Sequence, residues 1–161
     1  MKKPMSLAAT FGALLLAAGC ATTPAPMNLV QTAAATPQLS TLSKLIQDAG
    51  LTDTLSGPGP YTVFAPTDEA FKALPAATLQ ALAQDKTRLQ AVLKNHVLSG
   101  AVLSPEVKNG AVKTVDGANL ALSKSGSFVT VEDAVVTTAD VKATNGVVHI
   151  IDKVLVPAAP R

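Results

Sequence analysis

Residues Tyr61–Phe71 read YTVFAPTDEAF. The first five are β-branched, aromatic or small, with no turn former among them, and predict a buried strand over Tyr61–Ala65. Pro66 lacks an N–H and is expected to end ladder pairing there. Thr67 then stands where a helix N-cap belongs, with Asp68 and Glu69 in the first turn, where the helix dipole favours negative charge. Phe71, at the end of this short helix, is its anchor in the core. A strand that turns into a capped helix within one residue is the unit from which the rest of the chain is read.

Upstream, Ser56-Gly57-Pro58-Gly59-Pro60 is a turn cluster. Before it, Leu42, Leu45, Ile46 and Ala49 recur at helical spacing, with Ser40 or Thr41 as the expected cap and Gly50 as the stop. Downstream, Pro75 opens a helix to about Ala83, and Asp85 caps another predicted over Lys86–Leu98. On that last helix Leu89, Val92, Leu93, His96 and Val97 share one face. After Gly100 the pattern becomes β. Val112–Val115 and Asn119–Ser123 flank Asp116-Gly117, a hairpin signal. Val129 and Val131 alternate with Phe128, Thr130 and Glu132. Val135–Val141 leads to Asn145-Gly146, a second hairpin signal, and Val147–Val156 is the most apolar strand. A helical first half and a strand-rich second half predict an α+β fold in one domain.

Two blocks together are distinctive: Tyr61–Phe71, and Asn145–Pro157 (NGVVHIIDKVLVP). They resemble the two signature blocks of the fasciclin-like domain, and Leu93–Gly100 (LKNHVLSG) resembles the block between them. The resemblance covers about residues 39–157. It implies a wedge of two β-sheets with several helices along one side, and adhesion or matrix binding rather than catalysis. The residues that carry the motif are Phe64, Pro66, Thr67, Asp68, Phe71, His96, Asn145, Gly146, His149 and Asp152. All read as folding devices, so they identify the fold better than any binding site. Members tied to receptor adhesion carry a Tyr before the His of the middle block. Here that position is Asn95, and no Tyr-His role is carried over.

The amino terminus has its own logic. Lys2 and Lys3 precede an apolar run, Leu7–Ala18, that is too short to span a bilayer but suits a signal peptide. The run ends in Leu16-Ala-Ala-Gly-Cys20, and Cys20 is the single cysteine of the chain. This resembles the bacterial lipoprotein signal, which implies removal of residues 1–19 and acylation of Cys20, a palmitate-type membrane anchor. Ala17 stands where that signal usually has Leu. Ala21, in place of Asp, is compatible with delivery to the outer membrane, facing the periplasm or the exterior. Residues 20–38 are rich in Ala, Thr and Pro and predict a semi-extended tether to the domain at 39–157, with 158–161 as a tail.

Composition excludes several functions. Removing Lys2 and Lys3 brings the 13 Lys and Arg level with the 11 Asp and Glu, so no basic face for nucleic acid is expected. Aromatic residues are 3% of the chain, too few for stacking platforms. One cysteine permits neither an internal disulfide nor a cysteine-based zinc cluster. His96 and His149 are the two histidines; His96, on the apolar face of its helix, reads as a partly buried, hydrogen-bonded residue, and His149 sits in the final strand. Three residues separate His149 from Asp152, which puts them on opposite faces of a strand. Asp68 and Glu69 are adjacent and do not face each other. No nucleophile elbow or phosphate loop is present. No cofactor, metal or catalytic residue is therefore expected. The leading expectation is a membrane-anchored module that binds a protein, a glycan or its own kind. The alternative is a carrier of a small apolar ligand in a groove between helices and sheet.

Overall fold

In the computed structural model, which describes residues 25–156, the stretch at Tyr61 becomes strand β1 (Tyr61–Pro66), held on both sides. One neighbour is β2 (Val97–Ser99), antiparallel. The other is β7 (Gly146–Ile151), parallel, with Tyr61 opposite Gly146 and Pro66 opposite Ile151. Between them in sequence lie β3 (Gly110–Lys113), β4 (Asn119–Ser125), β5 (Phe128–Val131) and β6 (Ala134–Ala143). The spatial order is β2-β1-β7-β6-β5-β4-β3. The two ends of this ribbon meet, because Leu98 bridges Thr114 and the Val115 N–H donates to the Val97 carbonyl at 2.8 Å.

The two expected sheets are the two halves of this one ribbon. They divide along β6, whose register against β7 shifts between Val136 and Thr138 and again between Thr138 and Val141. Such bulges bend a strand and sharpen its twist. One core, with Phe64, Leu98, Leu122, Val131 and Ile151, fills the space between the halves. The other, with Leu42, Ile46, Phe71, Val92, Val148 and Ile150, lies between the first half and the helices. β1 and β7 thus contribute alternate side chains to both cores, which is why they read as unbroken apolar runs.

The helices are α1 (Leu29–Ala35), α2 (Ser40–Asp48), α3 (Thr52–Ser56), α4 (Asp68–Lys72), α5 (Ala76–Gln84) and α6 (Lys86–Asn95). Caps at Thr67 and Asp85 form as read, and Gly50 ends α2 at φ +70°. Five readings are corrected. Residues 29–35, expected in the tether, form α1, whose Leu29, Val30 and Ala33 enter the helical core. Asn28 and Gln31 form a reciprocal capping box there. The α2 cap comes from neither Ser40 nor Thr41. The Asp68 carboxylate instead receives the Ser40 hydroxyl at 2.6 Å and the Thr41 N–H at 2.8 Å.

Pro66 does not end the pairing with β7. Donors on β1 alternate, so that the Tyr61 and Thr67 N–H groups face β7 while the Phe64 N–H faces His96. The nitrogen of Pro66 shares the side of Phe64, beyond the last residue paired with β2, where no ladder bond is lost. The helix predicted to Leu98 stops at Asn95, since Val97–Ser99 is recruited as β2. The last strand stops at Ile151, where the chain bends and the Asp152 carboxylate takes the Val135 N–H at 2.8 Å.

Candidate functional site

The signature residues meet at three junctions, and at each one their polar atoms are spent on the fold. At the first, the Asn145 side chain in the β6–β7 turn accepts the Leu29 N–H at 2.9 Å. It donates to the carbonyls of Leu55, at 2.7 Å, and Gly57, at 3.0 Å. One amide therefore ties the start of α1 and the end of α3 to the hairpin. Next to it, Gly146 packs against the backbone of β1, where a Cβ would lie 1.9 Å from the Tyr61 carbonyl oxygen. Gly59 approaches the Asn145 carbonyl as closely, at 2.0 Å for its Cβ.

The second junction follows β1. Thr67 Oγ1 caps α4 through the Ala70 N–H at 3.2 Å, and Asp68 caps α2. Burial alone would raise the Asp68 pKa, but the bonds from Ser40 and Thr41 outweigh it and hold it below the usual carboxylate value. Phe64 is buried in the inter-sheet core and Phe71 in the helical core.

The histidines make the third. His96 follows α6, as its C-cap, and is 1% exposed. Its Nδ1 lies 2.7 Å from the Val92 carbonyl, and its Nε2 accepts the Leu155 N–H at 2.9 Å. The proton is therefore on Nδ1, and the ring clamps the carboxyl-terminal segment to α6. Burial pushes its pKa down to about 4, against a smaller opposing effect of the Val92 bond, so the ring is neutral at pH 7. His149 carries the opposite tautomer: Nε2 donates to the Val102 carbonyl at 2.7 Å, and Nδ1 accepts the Asp140 N–H at 3.3 Å. Its ring stacks on Phe64 with centroids 5.6 Å apart. His149 and Asp152 bond to different partners, as their parity required. With both ring nitrogens of each histidine engaged, neither offers a base or a metal ligand without breaking the core. Among the described residues no group of three His, Cys, Asp or Glu side chains gathers to hold a metal ion.

One polar cluster carries no sequence signal. Ser104 gives both its N–H and its hydroxyl to the Asp140 carboxylate. Asp140 sits at φ +59°, in the irregular stretch of β6. Burial would raise its pKa, but the Ser104 bonds prevail and lower it. The cluster joins residues 36 apart in the chain, a contact that local sequence does not encode.

Between helices and sheet, where a ligand groove was the alternative expectation, lies the helical core, with a hollow of about 510 Å³ at its edge between α1 and β6. The surface has a different character. Ala111 of β3, Ala121, Ser123 and Ser125 of β4, Phe128 and Thr130 of β5 and Val135 of β6 point away from the inter-sheet core. Lys113 of β3 shares this side, and Phe128 is 71% exposed on it. The turns at Asp116-Gly117 and Ser125-Gly126 are exposed, as read. Among the described residues no helix is long and apolar enough to cross a membrane. Cys20 and the signal segment lie outside the described residues.

Comparison with known proteins agrees with this architecture. The profile of the family described as Fasciclin domain matches residues 37–157. Protein sll1483 of Synechocystis is 40% identical over 139 residues, covering 85% of this chain and 77% of that one. The cell surface glycolipoprotein MPB83 of Mycobacterium bovis is 41% identical over 128 residues, covering 76% of this chain and 57% of its own length. A solved FAS1 domain pair from the insect cell adhesion molecule Fasciclin I shares the fold. Its TM-score is 0.64 at 15% identity, covering 80% of this chain and 50% of that one. A strand-to-capped-helix junction, a hairpin pinned by Asn145 and a parallel β1–β7 pair are thus set in the frame of a known family, and the chain belongs to the fasciclin domain family.

Proposed function

We propose that this protein is a non-catalytic adhesion module, held at the cell surface by a lipid on Cys20. Its contact surface is the outer face of β3, β4 and β5, and its partner is a protein, a glycan or another copy of the chain. The observation that carries this reading is the exposure of Phe128. An aromatic side chain 71% exposed on a strand face lined largely by Ala, Ser and Thr is an anchor of the kind that dominates binding energy at interfaces. The signature residues, by contrast, spend their polar atoms on internal bonds. Likeness to a cell surface glycolipoprotein and to a cell adhesion molecule supports display outside the cell. Many copies on one membrane would turn a weak contact into firm attachment.

Beads coated with the protein are expected to adhere to whole cells of the producing strain, and beads coated with Phe128→Ser are expected not to. The substitution is on the surface, so unfolding free energy should stay within about 0.5 kcal/mol of the original. Equal adhesion by the variant would remove this face from the mechanism. The anchor has its own test. Cys20→Ser should move the protein from the membrane fraction to the soluble fraction, and continued membrane association would exclude the lipid.

A further inference from the structure

Residues 29–35, expected as spacer, form α1 and belong to the helical core, so the chain is fixed from its first described turn. The Met27 carbonyl accepts the Thr144 N–H at 2.9 Å, and the Leu29 N–H donates to the Asn145 side chain. Ala25, Pro26 and Met27 line one hollow with Val141–Thr144. The chain therefore enters the domain beside the β6–β7 turn. Cys20 lies five residues before Ala25. Whatever their conformation, those five steps reach no farther than about 18 Å.

That reach is small against the domain. A globule of this size has a radius of gyration of about 14 Å and is about 36 Å across. β6, 10 residues long, runs from the Glu132-Asp133 turn to the β6–β7 turn, roughly 30 Å at the usual strand rise. Glu132 and Asp133 line one cleft with Ala118 and Asn119, so the Asp116-Gly117 turn lies at this distant end as well. A spacer running from residue 20 to 38 would have spanned about 60 Å and let any face meet the bilayer. The shorter spacer that α1 leaves cannot bring the distant end to it.

We infer that the β6–β7 end of the domain is seated against the lipid surface that holds Cys20, an inference that rests on the acylation of Cys20 proposed above. Beside the entry point is a hollow of about 750 Å³. Pro58, Pro60, Ala101 and Leu103 line it, exposed or half-buried, with Glu106 and Lys142 as one acid and one base. The two charges of this lining cancel, so an anionic headgroup layer does not push it away. The turns at Asp116-Gly117 and Glu132-Asp133 then point away from the bilayer, where an incoming partner meets them first.

The test uses the acylated protein in vesicles of phosphatidylethanolamine and phosphatidylglycerol, with a nitroxide on some of the headgroups. Cys20 is the single cysteine, so once it is acylated a thiol placed elsewhere is the only one to take a fluorescent label. Labels go on Ala101→Cys and Thr144→Cys at the near end, and on Asp116→Cys and Asp133→Cys at the distant end. All four positions are exposed, and two at each end keep the comparison if one variant misfolds. The nitroxide quenches only at close range. Labels at 101 and 144 are expected to lose most of their emission, and labels at 116 and 133 to keep it. Equal quenching at both ends, or stronger quenching at the distant end, would overturn the seating. A Gly-Ser insert of about 20 residues after Thr22, about 25 Å in root-mean-square length, should relieve the quenching at 101 and 144. Undiminished quenching there would overturn the short spacer as its cause. Flotation of the vesicles separates the two proposals. A protein left behind overturns the lipid on Cys20 and the seating with it, whereas a protein that floats and shows no difference between the ends overturns the seating alone.

Discussion

Gly146→Ala is expected to leave the protein largely unfolded. A Cβ at this position would lie 1.9 Å from the Tyr61 carbonyl oxygen and 2.8 Å from its carbonyl carbon. Both atoms are backbone of the strand paired with β7, so no side chain can rotate away. Relief requires parting β1 from β7 where Asn145 anchors two other segments, the start of α1 and the end of α3. A clash of this kind belongs with the largest single-residue effects, about 4 kcal/mol or more, against a total stability of about 5–15 kcal/mol for a domain. Far-UV circular dichroism and urea unfolding would measure it. Gly50→Ala is the informative contrast. Gly50 has φ +70° and open space around its would-be Cβ, so alanine there pays only for backbone conformation, about 1 kcal/mol. If Gly146→Ala unfolds like Gly50→Ala, the close approach of the two strands does not exist in solution.

Stability should also fall steeply between pH 6.5 and 4, through one residue. His96 is neutral and buried, with a pKa of about 4 against the ordinary 6.5. In that window the unfolded chain binds a proton that folded His96 refuses, so acid favours unfolding. The contribution of His96 is complete above pH 6.5. It declines by about 1.4 kcal/mol per pH unit, to a loss of roughly 3 kcal/mol, and changes no further below about pH 4. Asp68 and Asp140, whose pKa values are lowered, surrender their contributions at more acid pH, as they protonate. Urea midpoints measured at intervals from pH 4 to 7 would trace the slope. His96→Gln should be less stable at pH 7 and should lose most of the dependence. An unchanged slope in that variant would place the titrating group elsewhere.

What the sequence revealed and what it hid divides along the range of the interactions. The strand at Tyr61, the cap at Thr67, the cap at Asp85, the stop at Gly50 and the hairpins at Gly117 and Gly146 depend on neighbours a few residues away. All are present. The misreadings involve distant partners. The cap of α2 is a carboxylate from residue 68. Val97–Ser99 has helical spacing with the residues before it, yet pairing with β1 claims it as a strand. Pro66 looked like a terminator because the side its nitrogen faces is set by tertiary pairing.

The α1 error is different, for a local signal was available. Asn28 and Gln31 stand three apart, just ahead of and within an apolar turn, which is the signature of a capping box. The surrounding Ala, Thr and Pro residues concealed it. At the candidate sites the same division holds. His96 was legible as a buried, hydrogen-bonded residue, whereas the Ser104–Asp140 cluster exists only once the segment after β2 meets β6.

The parallel pairing of β1 with β7 has a kinetic consequence. Its partners, Tyr61–Pro66 and Gly146–Ile151, lie about half the chain apart, and both cores run through them. Such long-range closure gives a high contact order and slow folding. A chain delivered amino terminus first leaves the β7 side of β1 unpaired until Gly146–Ile151 emerges. During that interval the helices can form, but neither core can close, and the half-made domain is vulnerable to aggregation or to a holding chaperone. Completion of the fold therefore waits on β7, and a truncation before Gly146 should yield no stable domain.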